Sequence, residues 1–478
     1  MNDKSALRLE QEKNLKSIRV NHVLLISLVL INVILINLIV HALPVRYTEF
    51  DISNSGLFTL SEETKELLHQ LDTDVVLYYL GQTGAENTTI INVLNRYADE
   101  SEHLSWEQKD PGLFPTFAAQ YDAADASIDS VIVVSNERSR VINAEDFYEI
   151  DYSRYFTDGT YTLNLDAENQ ITSALLFVTL GQIPEVYVLN DHGEDELSQD
   201  LIEGLTLQNI GQTTYSILSA PEIPQDAAAV LINTPTDDFS TEDISVLRDY
   251  LRRGGSLFIL TNPSVDTPNL LGLLEEYGLS AMEGLVIEGD SNMHLRSYPQ
   301  SLLPKIRYAD AVKSIYGTST NVLLPFCSAI EIDEEREDLT CKALLSTSDL
   351  SYNKAAGFNL TTIEKENGDL SGPFTVAASV EFPSDGDQTG RIVWVNSAAF
   401  LSEATNQSIS NGNQVFTIAC LSWMTNESTV IAAAKSLQSD SLVFTAKEIN
   451  IWGNLFTIVL PVIVILGGVV ITVKRRAR

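Results

Sequence analysis

Residues 228–260 read AAVLINTPTDDFSTEDISVLRDYLRRGGSLFIL, and they carry the clearest indication of the fold class. Two short apolar runs within it, 228–232 and 256–260, have the length and composition of buried strands. Between them, Ser240 precedes an amphipathic run as a helix N-cap, with Asp243 three residues on. Gly254 follows that run where a left-handed backbone ends a helix. A buried strand, a helix and a second buried strand predict a parallel sheet with helices packed on it.

The same alternation of apolar strands and amphipathic helices extends on both sides of this stretch. Its further members are, in chain order, 186–189, 201–210, 268–277, 374–380, 391–395 and 414–424. The late strands and the last helix are expected to rejoin the sheet that begins at residue 186. The sequence therefore predicts an α/β domain with a doubly wound parallel sheet over residues 182–435.

Residues 44–181 predict a smaller α/β unit in front of this sheet. Ser61 is expected to cap a first helix, and the run 75–80 is typical of a buried strand. From that strand onward the order is β-α-β-α-β-β-α, with a hairpin at 131–142. This order resembles the thioredoxin fold. The unit contains no cysteine, so thioredoxin redox chemistry is excluded whatever its fold.

Two long apolar segments, residues 23–43 and 451–473, lie near the two ends of the chain. At about 1.5 Å per residue, each can cross a hydrocarbon layer of about 30 Å. Lysine and arginine precede the first segment and follow the second, and such residues stay cytoplasmic. We therefore expect two transmembrane helices in the cell membrane, cytoplasmic tails at 1–22 and 474–478, and an extracytoplasmic body. A cleaved signal peptide is the less favoured alternative, because the first apolar run is too long.

The formal net charge of −35 lies mainly between the two apolar segments, because both ends of the chain are basic. An acidic exterior argues against nucleic-acid binding, which needs a basic surface, and against docking on anionic lipid headgroups. The ordinary interpretation is a solvated acidic surface. The alternative is a surface that attracts a cationic ligand, a basic partner or a component of the cell envelope.

Motifs for phosphate-loop and hydrolytic chemistry do not occur in the sequence, which has no GxxxxGK[ST], no GxSxG and no HExxH. The cysteines Cys327, Cys341 and Cys420 form no CxxC pair, and Cys420 is expected inside a helix. Cys327 and Cys341 could form a disulfide in an oxidising compartment. The sequence predicts no catalytic residue, no metal site and no cofactor, and so a binding or accessory module rather than an enzyme.

One set of polar residues lies where ligands bind in open α/β sheets. His192, Glu194, Asn233 and Asn262 follow predicted parallel strands at their carboxyl ends, and ligand sites form at that edge. We predict a ligand-binding pocket there, which could serve an extracytoplasmic receptor or a surface hydrolase. The alternative interpretation is that these are ordinary turn and capping residues.

Three short motifs stand in a characteristic order. They are LFTLS at 57–61 followed by Thr64, VYV at 186–188 with HGE at 192–194, and YLRRGGSL at 250–257 leading into Asn262-Pro263. In this order they resemble the GldG-like (gliding-motility type) auxiliary subunits of ABC transporters, over about residues 44–430. Proteins of that family have an anchor, an extracytoplasmic α/β body and a second anchor. Their main domain is similar to flavodoxin-like and class I amidotransferase-like sheets, whose enzymes carry a cysteine nucleophile after a strand, which this chain lacks.

The resemblance implies a non-ATPase accessory membrane subunit that binds or scaffolds on the extracytoplasmic side of an ABC transport complex. Its partners would be an ABC permease and a separate ATPase subunit, and residues 436–450 would link the body to the second anchor. Polar and helix-breaking residues of the anchors are candidate contacts with membrane partners. These residues are Ser27, Asn32, Asn37, Pro461, Gly467 and Gly468.

Overall fold

The computed structural model is a mixed α/β structure with several sheets. It describes residues 56–136, 138–151, 160–179, 181–386, 388–425 and 434–437, and six single positions in the apolar segments. Apart from those positions, the predicted transmembrane segments 23–43 and 451–473 lie outside the described residues. Among the residues that are described, no helix has both the length and the apolar character needed to cross a membrane.

The first unit follows the predicted order of elements and adds two strands to it. A short 3-10 turn, Ala118–Tyr121, stands where the second helix of the motif was expected. The elements are α1 (Glu62–His69), β1 (Val75–Tyr79), α2 (Thr88–Glu100), β2 (Leu104–Gln108), β3 (Val131–Ser135), β4 (Arg138–Ile142), β5 (Tyr148–Asp151), β6 (Thr162–Leu165) and α3 (Ala167–Thr179).

Four of these strands form one sheet in the order β2-β1-β3-β4. Strand β1 is parallel to β2 and antiparallel to β3, and β3 and β4 form the predicted hairpin. The predicted N-cap is confirmed, because the Ser61 side chain accepts a hydrogen bond from the Thr64 N–H at 3.2 Å. Helices α2 and α3 bury apolar faces in the core of this unit, with Ile90, Leu94 and Ile171 fully buried.

The second unit contains residues 228–260. Its elements are β7 (Glu185–Leu189), α4 (Gln199–Leu207), β8 (Gly211–Tyr215), β9 (Ala227–Asn233), α5 (Thr241–Arg252), β10 (Ser256–Thr261), α6 (Pro268–Glu276), β11 (Leu279–Ala281), β12 (Leu285–Ile287), β13 (His294–Leu295), β14 (Tyr298–Leu302), β15 (Lys305–Ile306), β16 (Leu324–Pro325), β17 (Ile330–Ile332), β18 (Thr340–Ser346), β19 (Tyr352–Lys354), β20 (Leu370–Ser371), β21 (Thr375–Pro383), β22 (Thr389–Asn396), α7 (Glu403–Gln407) and α8 (Gly412–Thr425). A last strand, β23 (Lys435–Ser436), follows them and pairs with the first unit.

The main sheet of this unit is parallel in one half and antiparallel in the other. Strands β22, β10, β9 and β7 run parallel, as predicted, and β8 adds a further parallel strand beside β7. The prediction of a wholly parallel sheet is wrong, because β21, β18, β17, β11 and β15 extend it with antiparallel pairs. The reason is the short turn between β21 and β22, since a short connection joins antiparallel neighbours only. The polar edge strand β8 was not predicted.

Helices cover both faces of the parallel half. Helices α4 and α8 pack on one face, where Leu201 and Phe416 are fully buried. Helices α5 and α6 pack on the other, where Leu247 and Leu270 are fully buried. Gly254 ends α5 with a φ of +91°, a left-handed conformation that glycine adopts without strain.

The chain returns from the second unit to the first after α8. Strand β23 pairs antiparallel with β6, and β5 completes this three-stranded sheet. Ser436, the first residue of the predicted linker, therefore lies in a strand that belongs to the first unit. The return places both ends of the described body on the same unit.

Candidate functional site

The loop that follows β7 is folded back onto the N-terminus of α5. Strands β7, β9 and β10 are parallel, so their carboxyl ends share one edge of the sheet. His192 lies in the loop after β7, and its carbonyl accepts hydrogen bonds from the backbone N–H groups of Thr236 and Asp237, both at 3.0 Å. Gly193 has a φ of +71°, and a Cβ there would lie 2.0 Å from Thr236 Oγ1. The tight turn therefore requires glycine at this position.

His192 is buried between two carboxylates, and we call His192, Glu194 and Asp243 the His192 cluster. The imidazole Nε2 lies 3.2 Å from Asp243 Oδ2, and Nδ1 lies 3.4 Å from Glu194 Oε1. Glu194 also accepts the His192 backbone N–H through Oε2 at 2.6 Å. The ring stacks on Phe239, with centroids 3.7 Å apart. The cluster thus binds the loop to helix α5 by charge and by ring packing.

The environment of His192 favours its protonated form. Burial lowers the pKa of His192, but the carboxylates of Glu194 and Asp243 raise it by more, so that it lies above the ordinary value. Burial raises the pKa of Asp243, and hydrogen bonds from Ser240 and His192 lower it by more, to below its ordinary value. The two carboxylates therefore stabilise the imidazolium form of His192.

Asp243 has a second role that the sequence indicated. Ser240 and Asp243 form a capping box at the start of α5, in which the Ser240 side chain accepts the Asp243 N–H and Asp243 accepts the Ser240 N–H. The spacing of the two residues predicted this cap. Its contact with His192 was missed, because nothing in the local sequence says which loop lies beside the first turn of a helix.

The two predicted asparagines are engaged within the fold. Asn233 is buried, and its side chain donates to the Asp195 carbonyl at 2.8 Å while its own carbonyl accepts the Asp195 N–H at 2.8 Å. Asn262 accepts the Ser264 N–H and hydroxyl in a tight turn after β10. The fold brings His192 and Glu194 together, uses Asn233 to hold the same loop, and leaves Asn262 in a turn of its own. Ligand binding by these four residues stays a prediction.

The order of groups in the cluster decides what chemistry it can perform. The Ser240 hydroxyl donates to Asp243 Oδ2 at 2.6 Å, so the carboxylate stands between the hydroxyl and the imidazole. In a Ser-His-Asp triad the imidazole is in the middle, because it must take the proton of the hydroxyl. Within the described residues, no group of His, Cys, Asp and Glu side chains is arranged to hold a metal ion. The arrangement fits a structural clamp on the loop.

The cysteines are free thiols, so the disulfide between Cys327 and Cys341 is not formed in this structure. Cys327 and Cys420 are buried, and burial raises the pKa of both. Cys420 lies inside α8, as predicted. A thiol with a raised pKa and no access to solvent is a poor nucleophile.

Of the candidate contacts with membrane partners, Ser27 and Asn32 are exposed positions in helical conformation. The others, Asn37, Pro461, Gly467 and Gly468, lie outside the described residues. Their contact with a membrane partner stays a prediction.

Comparison with known proteins places most of the second unit in a family. Residues 183–431 match the family described as ABC-type uncharacterized transport system, and residues 54–149 match a domain of unknown function (DUF7088). No curated protein matches the chain.

Several solved structures resemble part of the chain. One, titled mmIFT52 N-terminal domain, is 17% identical with a TM-score of 0.38, over 52% of this chain and 100% of that chain. A putative thua-like protein from Parabacteroides merdae is 11% identical with a TM-score of 0.30, over 54% of this chain and 98% of that chain. The structure of PurLQS from Thermotoga maritima is 10% identical with a TM-score of 0.26, over 51% of this chain and 100% of that chain. These TM-scores are too low to carry an argument about this protein.

Proposed function

The chain belongs to the family of auxiliary components of ABC-type uncharacterized transport systems, and from this membership we propose that it is a non-ATPase accessory membrane subunit. An accessory role in an ABC transport system follows from the family itself. The finer proposal is that the protein pairs with an ABC permease and a separate ATPase subunit. The absence of a phosphate-loop motif from the sequence supports it, because transport would then need an ATPase from another chain.

The proposed topology has the body outside the cell membrane and both chain ends inside. The apolar segments 23–43 and 451–473, each with basic residues on its terminal side, support this arrangement. We also propose that the subunit is GldG-like, with a thioredoxin-like first unit and a flavodoxin-like second unit. The strand order β2-β1-β3-β4 and the helices on both faces of the parallel strands support these assignments.

We propose binding or scaffolding rather than catalysis as the role of the body. The His192 cluster supports this, because its groups bind one another and the N-terminus of α5 instead of facing a substrate. The burial of Cys327 and Cys420 supports it too, because a thiolate nucleophile needs access and a lowered pKa.

Purification of the full-length chain from its own membrane in a mild detergent tests the proposal. We expect a multi-span permease and an ATPase to be recovered with it. A matched variant replaces Ser27, Asn32 and Asn37 by leucine, which keeps the anchor apolar and removes its polar groups. Loss of the permease from this variant alone would assign the contact to the anchor, whereas recovery of the native chain without any transporter subunit would contradict the proposal.

Cysteine labelling from outside the cell tests the topology separately. In a Cys341→Ser background, we expect a membrane-impermeant thiol reagent to label Asp385→Cys, whose side chain is 73% exposed. The same reagent should not label Lys4→Cys or Arg478→Cys until the membrane is opened. Labelling of either tail in intact cells would overturn the proposed orientation.

A further inference from the structure

Both connections to the apolar segments start from one point on the first unit. Lys435 Nζ lies 2.7 Å from Glu168 Oε2, and it also donates to the Thr59 carbonyl. Glu168 Oε1 accepts the Ser61 N–H at 2.7 Å. We call Thr59, Ser61, Glu168 and Lys435 the Glu168 cluster. It holds the beginning and the end of the described body together.

The connections that leave this point are short. Residues 44–58 separate Thr59 from the first apolar segment, and residues 438–450 separate Leu437 from the second. At about 3.3–3.6 Å per extended residue, neither connection can exceed about 55 Å. The first unit is therefore tied to both apolar segments, and the second unit is connected to them only through it.

An exposed apolar stripe runs across the sheet at the same place. Ile150 on β5 lies directly opposite Leu163 on β6, and they are 44% and 39% exposed. Leu437 follows β23, and its N–H donates to the Leu163 carbonyl at 3.0 Å. Tyr161, two residues before Leu163 and so on the same face, is 57% exposed. Ile150, Leu163 and Tyr161 form one exposed stripe, and Leu437, which is partly buried against the core of the first unit, lies beside it.

We infer that this stripe lies against the lipid surface, with the first unit next to the membrane and the second unit away from it. This inference rests on the proposed membrane anchoring. A stable protein interface buries about 800 Å² on each partner, which is more than three partly exposed side chains supply. Tyrosine and neighbouring aliphatic side chains are typical of surfaces that lie at the boundary between lipid and water. Glu149, between Tyr148 and Ile150, falls on the opposite face of its strand by alternation.

Fluorescence of the full-length chain in phosphatidylcholine vesicles tests the inference. In the Cys341→Ser background, a nitrobenzoxadiazole probe is placed at Leu163→Cys or, as a second position, at Tyr161→Cys. The matched control is Leu370→Cys in β20, where the native side chain is 55% exposed on the second unit. We expect brominated phosphatidylcholine to quench the probe about twofold at 163 and 161, because the stripe enters the lipid interface, and to leave it unquenched at 370.

Co-flotation with the vesicles separates the possible failures. A chain that does not float with the vesicles contradicts the proposed anchoring, and the inference fails with it. A chain that floats with an unquenched, water-exposed probe at 163 and 161 overturns the inference alone. A probe at 163 that is shielded from water but not quenched means that a second copy of the chain covers the stripe, which overturns the assignment to lipid. Quenching at 370 overturns the orientation.

Discussion

The His192 cluster and the Glu168 cluster both pair a basic side chain with a buried carboxylate, but they join parts of the chain at very different separations. His192 and Asp243 are 51 residues apart, and both belong to the second unit. Glu168 and Lys435 are 267 residues apart, and they connect the end of the body to its beginning. The first cluster joins a loop to a helix at one edge of the sheet, whereas the second joins the two ends of the described body. Similar chemistry therefore serves a local and a global purpose.

The two clusters also differ in the pH range over which they contribute to stability. Burial raises the pKa of Glu168, but Lys435 and the Ser61 N–H lower it by more, so that Glu168 stays ionised down to acidic pH. Burial lowers the pKa of His192, but the carboxylates of Glu194 and Asp243 raise it by more, so that it lies above its ordinary value. Only the His192 cluster is expected to respond to pH changes around neutrality.

A substitution in the Glu168 cluster is expected to have the largest effect on the stability of the protein. Glu168→Ala removes the carboxylate from Lys435 and an acceptor from Ser61, and we expect the free energy of unfolding to fall by about 3 kcal/mol. Urea denaturation followed by circular dichroism measures this. Glu62→Ala is the control, because Glu62 pairs with Lys65 on the surface and such pairs contribute little. Equal stability of the two variants would mean that the Glu168 cluster does not hold the two ends of the described body together.

A substitution in the His192 cluster is expected to have a smaller and more local effect on stability. His192→Ala removes the contact with Asp243 and the stacking on Phe239, which should cost about 2 kcal/mol. Hydrogen exchange should speed up in the loop after β7 and in the first turn of α5, and nowhere in the first unit. His103→Ala is the matched control, because His103 and Asp74 form an exposed histidine–aspartate pair. Faster exchange across both units after His192→Ala would contradict a local role.

The capping box of α5 should contribute less to stability than either cluster. Ser240→Ala removes the acceptor for the Asp243 N–H at the start of α5 and should cost about 1 kcal/mol, as for other N-cap serines. Thermal unfolding measures the change. Ser61→Ala is the comparison in the first unit, because Ser61 caps α1 in the same way through Thr64. A change at Ser240 as large as that of His192→Ala would mean that the cap and the His192 cluster act as one unit.

The smallest effect is the pH dependence of the His192 cluster. Because the folded pKa of His192 is raised, its contribution is complete below about pH 6.5, the ordinary value, and is lost as the pH rises through the folded pKa. Asp243 contributes above its ordinary value of 3.8, and its contribution is lost as the pH falls through its lowered folded pKa. The cluster therefore contributes most between these two limits.

Urea denaturation of the native chain and of His192→Gln between pH 5 and pH 8 checks this dependence. We expect the stability difference between them to be largest at the acidic end of this range and to shrink as the pH rises. Glu168→Gln should show no such trend, because Glu168 is ionised throughout. A difference that grows with rising pH would show that His192 is neutral in the folded protein.

Much of the fold was predictable because its signals are local. Ser61, Ser240 and Gly254 mark helix ends through bonds and backbone angles set within a few residues, and all three stand where the sequence predicted. The polar strand β8 was not predicted, because an edge strand needs no continuous apolar run. The location of the loop after β7, at the carboxyl end of a parallel strand, was predictable. Its contact with Asp243 was not, although the spacing from Ser240 indicated that Asp243 caps a helix.

The alternation of buried strands and amphipathic helices, the caps, and the two apolar segments near the chain ends can be predicted from the sequence, because each depends on neighbours along the chain. Three features emerge only when the chain is folded: antiparallel strands extend the sheet, His192 pairs with Asp243, and Lys435 returns to Glu168 and Thr59. These contacts join residues tens to hundreds of positions apart. Their geometry is set by the packing of whole elements, and no local pattern records it.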